Sequence, residues 1–274
     1  MNISCHQSPF IDSIYHIPTY QYNNEQDFQF IGATSVHEHI ILNDHCAVIT
    51  FELDGKTYEF DGDVVCGKFT HAPKIKIVFK NTCQKLTIIR LSSCGMFQLT
   101  DTPMVSMVNH IAPGSLIPIH VDADKRVEKY IESLDEMMNI KPHSPSYRLT
   151  RDIIRYVNAN FAHLPTNATK VVAEYFGISE SSLRRYFKKY LGINLSTYII
   201  TIKRKKMIQA LYENNYDSLS VRENGYYDQS HFLNDFKRLY GVPLKQYFND
   251  IQLLKNQAPD LMHFLYHCNI ESAI

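Results

Sequence analysis

The chain of 274 residues lacks the sequence features of a secreted or membrane-spanning protein. Its start, MNISCHQSPF, has no basic segment followed by an apolar run, which is the pattern of a signal peptide. No stretch approaches the roughly 18 consecutive apolar residues that predict a membrane-spanning helix. The six cysteines include no C-x-x-C pair, and we expect them to be reduced and packed. These absences predict a cytoplasmic protein with no membrane partner.

Patterns of catalytic chemistry are also missing. The sequence contains no nucleophile elbow, no phosphate-binding loop and no pair of acids in a catalytic setting. His37-Glu38-His39 resembles the H-x-H of metal-binding cupins, but the glutamate expected shortly afterwards is missing and only Asp44 follows. Because a metal site needs three or four ligands, we expect an exposed polar strand face here. The sequence therefore predicts neither a metal, nor a cofactor, nor an enzyme.

What is present is an uneven distribution of charge behind a net charge of zero. Residues 148–247 carry 16 Lys and Arg against 8 Asp and Glu, a net charge of +8. Residues 1–147 carry 11 against 17, and residues 248–274 carry 1 against 3. A basic segment within a neutral chain indicates that this segment alone binds a polyanion.

The basic segment contains one pattern twice. The first copy reads VVAEYFGISESSLRRYFKKYLG around Gly177, and the second reads VRENGYYDQSHFLNDFKRLYG around Gly225. Each copy predicts a short helix, a glycine turn and a second helix with Phe-Lys near its end. Two such helix-turn-helix units suit two adjacent turns of the DNA major groove.

In the first unit, Gly177 ends the leading helix and Ser179 caps the next one. Four residues of that second helix form an apolar stripe that packs inward: Leu183, Phe187, Tyr190 and Leu191. The outward residues are candidates for DNA binding: Ser181, Arg184, Arg185, Lys188 and Lys189. Arginine matches the acceptors of guanine, whereas serine and lysine bind phosphate. An ordinary surface helix with a solvated basic face would show the same residues.

The second unit repeats the design with different chemistry. Asp228 is the predicted cap, and Phe232, Phe236 and Leu239 point inward. Outward candidates for base contact are Gln229, Ser230, His231 and Asn234. Glutamine and asparagine suit adenine, while Lys237 and Arg238 would lie near phosphate. Asp235 would be repelled by phosphate unless it turns away or finds a cation.

The segment Ser196–Tyr212 between the two units has no proline or glycine and predicts a helix of about 25 Å. Such a helix could hold two recognition helices about 34 Å apart, which is one turn of B-DNA. It carries the run Lys203-Arg204-Lys205-Lys206. Some of these side chains, Lys203 first, are expected to touch phosphate; a solvated helix face is the alternative.

Residues 147–248 resemble the double helix-turn-helix domain of AraC/XylS-type bacterial transcription regulators. The similar segments are LTRDIIRYVNANF, SESSLRRYFKKYLGINLSTYI and GYYDQSHFLNDFKRLYGVPLKQYF. The resemblance implies base contacts by the residues that helical phase also selects: Ser181, Arg184, Arg185, Gln229, Ser230 and Asn234. It also implies double-stranded promoter DNA as the partner, and RNA polymerase as a second partner if the protein is an activator.

Two departures from the family pattern matter. The helix ahead of Gly225 has polar residues where the family has mostly apolar or small ones, so we expect the first unit to supply most of the affinity. In the connecting helix, Arg204 and Met207 stand where the family prefers Leu and Ala. These two residues are expected to alter how the halves pack against that helix.

Residues 28–100 predict β-structure. A hairpin is indicated at Asp54-Gly55, and KIKIVFK and KLTIIRL are further strands. The strand order loosely resembles the cupin-like module that such regulators use for ligand binding or dimerisation. Five aromatic residues could line a pocket for a small-molecule effector or simply pack the core: Phe51, Tyr58, Phe60, Phe69 and Phe79.

Residues 122–138 predict an amphipathic helix with an apolar stripe: Val127, Tyr130, Ile131, Leu134 and Met138. The stripe packs on the barrel or pairs with a second copy, and we expect a homodimer. In the tail, three apolar residues are expected to dock on the protein itself: Leu261, Phe264 and Leu265.

The predicted fold class is α+β, with a small antiparallel barrel or sandwich followed by helices, then an all-α domain. We expect a β-rich sensor or dimerisation domain (1–140), a linker (141–147), the double helix-turn-helix domain (148–248) and a tail (249–274). The predicted function is sequence-specific, DNA-binding regulation of transcription, in which two recognition helices enter successive major grooves. An activator is favoured. Two alternatives are a cupin-type metal-binding enzyme fused to a DNA-binding module and an interaction protein that docks an acidic partner.

Overall fold

The structure is a computed structural model, and it describes residues 3–4, 8–18, 27–43, 45–80, 85–119, 126–140, 142–165, 167–213 and 229–262. Within these residues no helix is both long enough and apolar enough to cross a membrane.

The amino-terminal half forms two antiparallel sheets. One sheet has the strand order β1-β2-β9-β4-β7-β10, and the other has the order β3-β8-β5-β6. The strands are β1 Ile3–Ser4, β2 Ile11–Pro18, β3 Asp27–Ile31, β4 His39–Leu42, β5 Ala47–Leu53, β6 Lys56–Phe60, β7 Val64–Cys66, β8 Lys74–Phe79, β9 Lys85–Leu91 and β10 Ile111–Pro113.

The predicted hairpin joins β5 to β6. Leu53 pairs with Lys56, and the two residues between them, Asp54 and Gly55, have φ angles of 50° and 74°. Positive φ at both positions is the requirement of the tight hairpin turn that an Asp-Gly pair favours. The two other predicted strands are also confirmed, as β8 and β9.

Helices follow the sheets, which confirms the predicted fold class. They are α1 Met96–Leu99, α2 Arg126–Ile140, α3 Pro145–Asn160, α4 Ala168–Tyr175, α5 Glu180–Leu191, α6 Leu195–Glu213, α7 Gln229–Tyr240 and α8 Leu244–Gln257. A short 3₁₀ turn at Met104–Met107 lies between α1 and β10. The start of α3 shows why these bounds arise: Ser144 accepts a hydrogen bond from the Tyr147 amide, and Pro145 occupies the first turn.

The helical half completes the cores of the sheet half. One apolar cluster contains residues of both sheets together with the carboxyl-terminal residues Leu254, Ala258, Leu261 and Met262. The prediction that Leu261 docks on the protein is therefore confirmed, whereas Phe264 and Leu265 lie outside the described residues. A second cluster joins Ile31 of β3 to the apolar faces of α6, α7 and α8.

The apolar stripe of α2 is used inside the chain. Tyr130, Leu134 and Met138 are buried in the cluster that also contains Leu183 and Phe187 of α5. Packing within the chain, one of the two alternatives for this stripe, is therefore what the structure supports. The homodimer has no support from this stripe and stays a prediction.

Two expectations are wrong. His37, Glu38 and His39 are not an exposed strand face: all three are buried, and Glu38 forms an ion pair with Lys68, which is buried with it. A charged pair can enter the interior when the two partners neutralise each other.

The cysteines are also not all reduced, because Cys46 is disulfide-bonded, with its partner outside the described residues. Cys66 and Cys94 are free and buried, as expected.

Candidate nucleic-acid interface

The first helix-turn-helix unit consists of α4, a turn at Gly177 and α5. Gly177 has a φ of 63°, which lets the chain leave α4 sharply. Ser179 caps α5 as predicted, because its Oγ accepts a hydrogen bond from the Ser182 amide at 3.2 Å. Leu183 and Phe187 are fully buried, and Tyr190 and Leu191 lie beside them in the same core. The predicted inward stripe is thus confirmed.

The opposite face of α5 is exposed and basic. All the predicted DNA-binding residues of the first unit lie on it: Ser181, Arg184, Arg185, Lys188 and Lys189. Arg184 donates to Glu180 at 3.1 Å, one turn earlier on the same face. The Arg185 guanidinium lies 5.5 Å from the centre of the Tyr186 ring. Each arginine side chain thus has a weak, solvent-exposed partner on the helix itself, which a ligand could replace.

The last turn of α5 meets the amino-terminal half. The 3₁₀ turn Met104–Met107 packs against it, and a groove lies between residues 100–105 and the side chains of Lys188 and Lys189. Gly192 ends α5 with a φ of 78°, and a Cβ atom there would lie only 2.2 Å from the backbone oxygen of Met104. The sheet half therefore contacts the first recognition helix directly.

The second unit places α7 on α6 and α8. Phe232, Phe236 and Leu239 are buried as predicted. The outward candidates Ser230, Asn234, Lys237 and Arg238 are exposed, as is His231. Three predictions lie outside the described residues: the orientation of the Gln229 side chain, the cap at Asp228 and the leading helix of this unit. The α7 helix also contacts the sheet half, since the Ala72 amide donates to the Leu239 carbonyl at 2.9 Å.

Asp235, which phosphate is expected to repel, is paired with two cations of the protein. Arg204 of α6 donates to its carboxylate through Nε at 2.8 Å, and Arg238 forms a second ion pair with it. Burial alone raises the pKa of Asp235, but the bonds from Arg238 and Arg204 outweigh burial and bring the pKa below its usual value. The carboxylate is therefore charged and neutralised within the protein.

The basic run of α6 is not a solvated face. Arg204 and Lys205 are buried, and Lys203 and Lys206 are partly buried. The Nζ of Lys203 donates to the Leu164 carbonyl at 3.4 Å, so its predicted phosphate contact would require that side chain to move. This run connects α6 to the rest of the protein, a role that the charge pattern did not indicate.

Lys205 of α6 joins a buried cluster of charged and polar residues that otherwise belongs to the sheet half. The positive charges of Arg90 and Lys205 lie near both His37 and His39, and Asp12 pairs with Arg90. Burial first, and then these cations, keep the pKa of both histidines well below the usual value. Neutral histidines can bind a metal, but cations around them oppose it. No group of three or more metal-binding side chains occurs within the part of the chain that the structure describes.

A small cavity of about 60 Å³ lies between the two sheets. Its walls are almost entirely apolar, and His39 is one of the few polar residues that face it. Two of the five aromatic residues proposed as pocket lining, Phe51 and Phe69, line this cavity. Phe79 is buried in the surrounding core, and Tyr58 and Phe60 pack at its edge.

Comparison with known proteins supports the helix-turn-helix interpretation. A family model described as a helix-turn-helix domain matches residues 172–250. No curated protein sequence matches the chain. Among solved structures, ToxT from Vibrio cholerae matches with 10% identity and a TM-score of 0.47, covering 86% of this chain and 97% of ToxT.

Two further structures match with lower TM-scores. Wild-type ToxT from Vibrio cholerae with bound unsaturated fatty acid matches with 11% identity and a TM-score of 0.43, covering 90% of this chain and 96% of that one. The AraC-like transcriptional activator CuxR matches with 14% identity and a TM-score of 0.24, covering 69% of this chain and 72% of CuxR.

Proposed function

Because a helix-turn-helix family model matches residues 172–250, we propose that this protein is a DNA-binding transcription regulator of the AraC type, which places α5 and α7 in successive major grooves of promoter DNA. The observation that carries the proposal is the exposed face of α5, where five predicted DNA-binding residues lie opposite a buried stripe. With 19 residues, α6 is about 28 Å long, which is close to the spacing of about 34 Å between adjacent grooves.

The two recognition helices would read DNA by different chemistry. Arg184 and Arg185 present guanidinium groups that match guanine, whereas Asn234 and Gln229 carry amides that match adenine. Ser181, Ser230 and the lysines would bind phosphate, so affinity should fall steeply with salt. Among the residues that the structure describes, the first unit presents more exposed cations, and we therefore propose that it supplies most of the affinity.

Alanine at Arg184 is expected to weaken operator binding by about 5–150-fold, since a good bidentate base contact contributes about 1–3 kcal/mol. Alanine at Asn234 is expected to weaken it less. The operator would first be selected from random duplex DNA at physiological salt with the full-length protein, and affinities would then be measured by titration.

Arg155 provides the matched control, because it is an exposed arginine of α3 whose ion pair with Asp152 resembles that of Arg184 with Glu180. Alanine at Arg155 should leave affinity unchanged. A larger loss at Asn234 than at Arg184 would contradict the proposed order of the two units. Absence of any enriched sequence would contradict the proposed function.

For regulation, we propose that a small apolar molecule occupies the cavity between the sheets. The apolar walls and their continuity with the core that α8 completes support this site. One of the similar ToxT structures is described as bound to an unsaturated fatty acid, which illustrates this type of ligand in another protein. We further propose activation through contact with RNA polymerase, and a homodimer whose interface lies away from the buried stripe of α2.

A further inference from the structure

The ion pair between Arg204 and Asp235 joins the long helix α6 to the second recognition helix. Arg204 donates to Oδ2 of Asp235 through both Nε (2.8 Å) and a terminal nitrogen (2.6 Å). The two side chains are 8% and 13% exposed, so the pair is shielded from water. Around it are Met207 and Ile208 of α6 and the aromatic residues of α7.

The geometry of this ion pair is directional, whereas that of the surrounding apolar contacts is not. Apolar packing is non-directional, whereas charged hydrogen bonds from a planar guanidinium fix the geometry of a carboxylate. Asp235 lies at the border between the buried and the exposed faces of α7, next to the exposed Asn234. Because neighbouring helical residues differ by about 100°, holding Asp235 fixes the direction in which Asn234 points.

Arg238 depends on the same carboxylate. It pairs with Oδ1 of Asp235 one turn away, but its own side chain is 66% exposed. If Arg238 left Asp235 for a DNA phosphate, Arg204 would still neutralise the carboxylate. Without Arg204, the departure of Arg238 would leave a bare negative charge close to the DNA backbone.

Resting on the proposed function, we propose that Arg204 is a positioning residue for DNA recognition by the second unit. It sets the rotation of α7 on α6, and it frees Arg238 to exchange Asp235 for a phosphate. The sequence resembles a family that prefers leucine at the position of Arg204. The ion pair with Asp235 therefore replaces an apolar contact with a directional one.

The test compares three full-length variants on the selected operator, by footprinting and by affinity at several salt concentrations. Arg204→Leu should weaken protection of the block read by α7 and reduce base discrimination there, keep protection of the block read by α5, and weaken binding at least about tenfold. The slope of log affinity against log salt should fall by about one phosphate contact, because Arg238 stays on Asp235.

The double variant Arg204→Leu with Asp235→Leu separates positioning from folding. Paired apolar replacement of a buried ion pair generally preserves stability, so this variant should fold like the parent. It should regain the salt slope, since Arg238 is released, but its base discrimination in the α7 block should stay reduced. Arg155→Leu, which removes an exposed arginine paired with an aspartate, should change none of these readouts.

Recovery of full discrimination in the double variant would overturn the proposal, because Arg204 would then serve packing alone. An unchanged salt slope in Arg204→Leu would overturn the exchange of Arg238. Failure of the parent protein to protect the α5 block would contradict the proposed function instead, so the two failures are distinguishable.

Discussion

Alanine at Gly192 is expected to lower the free energy of unfolding by about 2–5 kcal/mol, considerably more than alanine at Gly241. Both glycines end a recognition helix in the left-handed conformation, with φ angles of 78° and 73°. Each substitution therefore pays the strain of a side chain in that conformation, about 1–2 kcal/mol.

The difference arises from the surroundings. A Cβ atom at Gly192 would lie 2.2 Å from the Met104 oxygen and 2.9 Å from a methyl group of Val108, whereas a Cβ at Gly241 would have no atom within 4 Å. Backbone cannot move aside as a flexible side chain can, so the 3₁₀ turn would separate from α5. Urea unfolding of both variants measures the effect, with Gly241→Ala as the control. Equal losses at the two positions would show that the turn does not pack on α5 in solution.

Acidification below about pH 6.5 is expected to destabilise the protein by up to about 2.7 kcal/mol per pH unit. His37 and His39 are buried near Arg90 and Lys205, and burial together with these cations keeps both pKa values well below normal in the folded state. The unfolded chain binds these two protons near pH 6.5, whereas the folded chain does not. The stability is thus complete above the unfolded pKa and is lost progressively as the pH falls below it.

The measurement is the unfolding free energy of the parent and of His37→Gln with His39→Gln between pH 7.5 and pH 5, a range chosen about the pKa of roughly 6.5. Near His37 the charged groups are Arg90, Lys205 and Lys68, and Asp12 faces His39 from β2. Burial raises the pKa of Glu38, whose effect on stability has the opposite sign. Because Glu38 is common to both proteins, the difference between their slopes isolates the histidines. His45→Gln, at an exposed histidine, is the control and should keep the full slope. Parallel pH profiles for parent and double variant would contradict the prediction.

Local sequence signals predicted the elements of the candidate site well. The cap at Ser179, the glycine after Leu191 and the apolar stripe ending at Leu191 act within a few residues, and α5 follows them. The Asp54-Gly55 hairpin and the long α6 are similar cases. The repeated pattern around Gly177 and Gly225 indicated two units, and the resemblance of residues 147–248 to a known family agreed with it. Contacts of the selected residues with DNA remain predictions.

What the sequence did not reveal depends on partners far along the chain. His37-Glu38-His39 was interpreted as an exposed face because polar residues usually face water, yet the buried partner of Glu38 is Lys68. Similarly, Lys205 lies in a basic run but faces the sheet half, and Arg204 finds Asp235. The only sequence signal was a charged residue at a position where an apolar one is expected. That signal does not identify the residue with which the charge pairs. Phase along one helix cannot identify what lies opposite that helix.

The docking of the carboxyl-terminal segment has a consequence for biosynthesis. Leu254, Ala258, Leu261 and Met262 belong to the apolar core of the sheets, although the last strand that the structure describes ends at residue 113. While the ribosome is still adding the helices, the nascent sheets expose the surface that these four residues will cover. A premature stop codon before Leu254 would therefore leave apolar surface exposed on sheets that were translated much earlier. Chaperones would then bind a protein whose sheet core is incomplete.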